Sequence, residues 1–78
     1  MAKAPAGKFP IERIGALRLV GYDVQLVRGA GPGGANLFLA HCRASGLVAS
    51  AASRDGAWRE AWAHAKRNGI RITIERAR

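Results

Sequence analysis

Trp58, Ala61, Trp62 and Ala65 stand at i, i+3, i+4 and i+7, the spacing that lines side chains along one stripe of an α-helix. This pattern constrains the chain more than any other. Two indoles need an apolar surface opposite them, and the alanines between them let the helix backbone come close to it. A sheet face satisfies both demands. Burying each indole contributes about 2–3 kcal/mol, a large share of what so short a chain can gather. Ser53 or Asp55 caps the helix start by accepting a hydrogen bond from a backbone N–H with no partner within the helix. Gly69, after Asn68, is a left-handed stop because it lacks Cβ. The spacing therefore predicts a helix over 53–68.

Residues 1–8 read as a flexible basic tail broken by Pro5 and Gly7, and residues 9–78 as a single domain. From Phe9 to Val20 two patterns compete. Pro10 suits a first helical position and Ile11, Ile14 and Leu17 recur every three residues, yet Leu17-Arg18-Leu19 alternates as a strand does. The expectation is a short helix or turn near 10–15, then extended chain with a bulge at Gly21. Beyond it, Tyr22, Val24 and Leu26 alternate with Asp23, Gln25 and Val27 as a half-buried strand. A glycine loop, GAGPGGA over 29–35, leads to a second strand over 36–42. This strand places Leu37, Leu39 and His41 on one face and Phe38, Ala40 and Cys42 on the other. Arg43-Ala44-Ser45-Gly46 has hairpin-turn chemistry, and a third strand over 47–52 follows, with Ala49, Ala51 and Ala52 leaving room for the tryptophans. After the helix, Ile70, Ile72 and Ile74 alternate with Arg71, Thr73 and Glu75 as a last strand. The fold class is α+β: a two-layer sandwich with an antiparallel sheet in the order β-β-β-α-β. A short leading helix is possible, and one amphipathic helix lies on one sheet face.

Charge bears on partners rather than on fold. Thirteen basic residues, ten of them Arg, stand against five acidic ones, for a formal charge of +8. Arg presents a planar fork that matches phosphate and carboxylate. Such an excess points to nucleic acid, an acidic protein surface or anionic lipid, although GC-rich coding produces a similar composition. No apolar run is long enough to span a membrane, and no apolar region follows MAKAPAGK as in a secretory leader. The single Cys42 excludes an intramolecular disulfide, so the expected compartment is the cytoplasm.

Reactive chemistry is sparse. His41 and Cys42 are strand neighbours pointing to opposite faces, so the imidazole does not activate that thiol, and Cys42 reads as a small buried hydrophobe. One Cys and two His at no ligand spacing offer no metal site. His64 follows Glu60 by one helical turn and reads as an exposed i, i+4 pair. The five acids are scattered, with no acid–base pair among them. The glycine loop lacks the phosphate-loop order and leads into a strand, so it reads as a hairpin connection. The expectation is a protein without enzymatic activity, cofactor or metal. The basic residues do group: Arg59, Glu60, Ala63 and Arg67 face away from the tryptophans, with Lys66 at the margin and Arg54 at the helix start. Arg28 and Arg43 end adjacent strands. Arg28, Arg43, Arg54, Arg59, Lys66 and Arg67 are therefore the candidate partner- or nucleic-acid-binding residues, against the plainer reading of a solvated face.

In layout, Tyr22 to Lys66 resembles the double-stranded-RNA-binding domain family. In both, a strand leads towards Gly-Pro (Gly31-Pro32), then come a hairpin and a helix opening with Ser, a basic residue and Ala (Ser53, Arg54, Ala57). The resemblance implies RNA-backbone contacts at the loop after the first strand and at the helix start. Several features depart from the pattern. No His follows Gly31-Pro32, Asp55 and Trp58 stand where the family carries lysines, and a strand over 70–75 has no counterpart in it. In size and single α+β domain the chain is also similar to small phage-encoded anti-CRISPR proteins, which share no motif and act by binding CRISPR effector complexes. A polycation does not imitate DNA, so that likeness implies an acidic protein patch or guide RNA as the target.

These readings converge on a non-catalytic binding module of a nucleic-acid system. The first expectation is a stoichiometric inhibitor of the anti-CRISPR type, with a protein or ribonucleoprotein complex as partner. The alternative is a basic RNA- or DNA-binding protein contacting the phosphate backbone, and a toxin–antitoxin component ranks third. No membrane partner is expected, and Val27 and Phe38 are candidates for burial in a homodimer.

Overall fold

The computed structural model describes residues 8–73. All of the tail expected over 1–8 except Lys8 lies outside this range, as does the end of the strand expected over 70–75. Helix α1 spans Ile11–Leu19 and is followed by β1 (Tyr22–Val27), β2 (Leu37–Cys42), β3 (Gly46–Ala51) and helix α2 (Arg54–Arg67). The three strands form one antiparallel sheet in the order β1-β2-β3. The fold is α+β, with the helix and sheet layers that the tryptophan stripe demanded.

The leading helix is longer than the sequence suggested. It runs through residues 17–19, which the alternation Leu17-Arg18-Leu19 had marked as extended chain. Three residues of alternation are a weak strand signal. Helical geometry buries Leu17 completely, and its cost is Leu19, 84 % exposed. Gly21 is the helix stop rather than a bulge: at φ +101 its N–H donates to the Arg18 carbonyl at 3.1 Å. The sheet irregularity lies instead between β2 and β3, where Ala40 faces Ala49 and His41 faces Leu47, leaving Val48 as the extra residue.

Ser53 caps α2, its Oγ accepting from the Gly56 N–H at 3.0 Å. At the other end, Gly69 N–H donates to Lys66 O at 3.2 Å and Ile70 N–H to Ala65 O at 2.9 Å. These two bonds turn Ile70 back onto the core. Ile70 and Ile72 pack there as partly buried residues, and 70–73 form no strand. Their alternation reflects packing beneath the helix rather than sheet pairing.

The core sits between the sheet and both helices. α2 contacts all three strands, and α1 contacts β1 and α2. Trp58, Tyr22 and Leu17 are its largest fully buried side chains, joined by Phe9, Val24, Ala40, Cys42, Ala57, Ala61 and Ala65. The stripe is unequal, since Trp58 is buried and Trp62 only partly so. Ala52 lies beyond β3 and is exposed, so it makes no room for either indole. The other sheet face carries the half-buried Val27, Leu37, Leu39 and His41 beside the exposed Gln25, Leu47 and Ser50.

Candidate nucleic-acid interface

The six basic residues singled out in the sequence fall into separate groups. Arg28 and Arg43 follow the ends of neighbouring strands, but those strands are antiparallel. Tyr22 pairs with Cys42 and Val27 with Leu37, so Arg43 stands at one end of the sheet and Arg28 at the other. A strand of this length separates them by about 17–20 Å. Arg28 shares its end with Arg54, because Phe38 pairs with Leu26 and the Arg54 guanidinium carbon lies 5.1 Å from the Phe38 ring centroid. Both are exposed.

The outer face of α2 is the second group. Arg59, Lys66 and Arg67 are exposed there with Glu60, opposite the buried Ala57, Trp58, Ala61 and Ala65. The Lys66 ammonium sits 5.9 Å from the Trp62 ring centroid. Asp55 and Trp58, which take the place of lysines in the RNA-binding layout, both serve the fold. Trp58 is core, and the Asp55 carboxylate accepts the Phe9 N–H at 3.0 Å, holding the segment before α1 to the start of α2.

Arg13 and Arg18 escaped notice in the sequence. Each sets its guanidinium against an indole of α2, Arg13 at 4.5 Å from the Trp62 centroid and Arg18 at 5.4 Å from that of Trp58. Arg18 Nε also lies 3.6 Å from the Asp23 carboxylate. The competing strand signal hid the helix that carries Arg18, and the contacts themselves come from packing between α1 and α2.

His64 is not the exposed partner of Glu60. It is half-buried, and its Nδ1 lies 2.7 Å from the Tyr22 hydroxyl. Burial pushes the Tyr22 phenol above its ordinary value, as does the neighbouring Cys42 thiol, while Arg67 pulls the other way. Cys42 is a buried free thiol. Among the described residues no three His, Cys, Asp or Glu side chains group as metal ligands, and no helix is long and apolar enough to cross a membrane.

No protein-family model, curated protein or solved structure matches the chain.

Proposed function

We propose that the protein is a non-catalytic module that binds the phosphate backbone of nucleic acid, duplex RNA first, through the outer face of α2. The observation that carries this reading is the exposure of Arg59, Lys66 and Arg67 on one face of a helix whose other face is buried. A rigid helix carries such cations at fixed spacing, so each can neutralise a phosphate and release its counterion. The order α1-β1-β2-β3-α2 supports the reading, because a leading helix precedes β1 and 70–73 form no strand. Of the departures from the double-stranded-RNA-binding layout, the strand expected over 70–75 finds no support in the described residues 70–73. Duplex RNA is recognised in that family largely by shape and backbone, which an Arg-rich face suits. The test is a salt titration of binding to bare duplex RNA and duplex DNA. Affinity should fall steeply with salt, and absence of such binding removes the reading.

A second reading, the stoichiometric inhibitor of the anti-CRISPR type, draws on a different observation. Ile11, Leu19 and Leu47 are 82 %, 84 % and 66 % exposed. A polyanion has no use for exposed apolar side chains, whereas a protein interface combines an apolar centre with arginines. An inhibitor should be recovered from its native host on one protein or ribonucleoprotein complex, tolerate salt and bind bare duplex weakly.

A further inference from the structure

The corner between α1 and β1 holds an open cleft of about 390 Å³, lined by Arg18, Gly21, Tyr22, Asp23, His41 and Arg43. That volume is at the lower end of sites that take small molecules, and larger than a lone phosphate needs. Arg18 of α1, His41 of β2 and Arg43 of the turn after it line the cleft together. We propose that this cleft binds a phosphate monoester, as a free nucleotide or at the end of a strand.

The fold holds the Arg18 guanidinium and the base of the Arg43 side chain. Arg43 N–H donates to Gly21 O at 2.9 Å, and the space where a Gly21 Cβ would sit is 3.5 Å from the Arg43 Cβ. The α1–β1 corner therefore packs against the base of the Arg43 side chain. Arg18 is held by the Trp58 ring at 5.4 Å and by Asp23 at 3.6 Å. Its guanidinium carries five N–H donors, and the Asp23 contact is made by Nε. A planar fork of this kind binds phosphate in bidentate fashion.

Two features oppose an anion, and both are blunted. The Asp23 carboxylate accepts the Val24 N–H at 2.9 Å through the same Oδ1 that faces Arg18, so it acts to orient that arginine. With Arg18 and Arg43 the cleft still carries net positive charge. The end of α1 also points its carbonyls towards this corner, but those of Leu17 and Arg18 accept the Val20 and Gly21 N–H groups at 3.1 Å. His41 supplies a further donor or acceptor from β2, opposite Asp23 in register. Arg59 and Lys66 are not part of the lining, so the inference does not depend on the α2 face binding nucleic acid.

The test uses the whole chain, amide NMR spectra and isothermal titration with AMP, inorganic phosphate, and 5′-phosphorylated against 5′-hydroxyl oligonucleotides. AMP should shift the amides of Gly21, Asp23, His41 and Arg43, and Arg43→Gln, an exposed substitution that leaves the fold intact, should weaken AMP about tenfold. Ser50→Ala, exposed on β3 and outside the lining, should leave AMP affinity unchanged. A preference for the 5′-phosphorylated strand identifies a strand end as the source, and AMP binding without that preference identifies a free nucleotide. Shifts spread over the α2 face and indifferent to Arg43→Gln overturn the proposal, as does the absence of saturable AMP binding up to about 10 mM.

Discussion

The Tyr22 hydroxyl and His64 Nδ1 are 2.7 Å apart, joining the first residue of β1 to the last turns of α2 across the core. The rings also meet edge to face, with centroids 5.7 Å apart. The contact ties the C-terminal half of α2 to the strand, so the face bearing Lys66 and Arg67 keeps a fixed attitude to the sheet. It also gives a phenol and an imidazole, each of which would otherwise need water, a partner inside the protein.

Tyr22 is the sole tyrosine, so phenolate absorbance reports on it alone. Its folded pKa is raised above the ordinary 10.0, chiefly by burial, so the neutral phenol is the form the fold favours. The stability it contributes is fully present below pH 10 and is lost as pH rises through the raised folded value. An alkaline absorbance titration should give a midpoint above that of the urea-unfolded chain. Tyr22→Phe should lose stability at neutral pH yet show a shallower alkaline decline in Tm. A folded-state midpoint at or below the unfolded one would contradict this.

The two tryptophans should separate on mutation. Trp58 is 1 % exposed and Trp62 lies at the edge of the core against Phe9, with ring centroids 6.0 Å apart. Trp58→Ala should cost about 3–5 kcal/mol, enough to unfold a domain of this size. Trp62→Ala should cost about 1–2 kcal/mol, because less of its surface leaves water. Urea unfolding of both variants checks the order, and equal losses would show that the stripe is buried evenly.

The layout was largely legible because it rests on long periodic signals. The α2 stripe, the alternation in β1 and β2, and the turn at Arg43–Gly46 each span enough residues to outweigh accident. The failures came from short or ambiguous signals. Leu17-Arg18-Leu19 is too brief to identify a strand, and Ile70-Arg71-Ile72 alternates because a helix stop folds it back onto the core. The grouping of the basic residues was not legible in the sequence. Strand direction sets Arg28 and Arg43 at opposite sheet ends, and the aromatic contacts of Arg13, Arg18 and Arg54 depend on packing that no spacing encodes.

Asp55 should matter more than its place on a helix start suggests. Its carboxylate accepts the Phe9 N–H and sits in the first turn of α2, where negative charge is favoured. Asp55→Ala should cost about 1–2 kcal/mol and speed hydrogen exchange at the Phe9 amide. Unchanged exchange there would mean that the bond does not hold the segment before α1 in solution.

If the outer face of α2 meets phosphates, as proposed, neutralising its charge should change the salt dependence of RNA binding. Replacing Arg59, Lys66 and Arg67 together with Gln leaves Trp58 and Trp62 in place, and exposed changes of this kind usually alter stability by about 0.5 kcal/mol or less each. Fluorescence anisotropy with a labelled RNA duplex of about 16–20 base pairs would then compare the slopes of log affinity against log salt. The triple variant should fold, bind more weakly and give a slope shallower by about 2–3. A folded variant with the affinity and slope of the original protein would contradict the proposal.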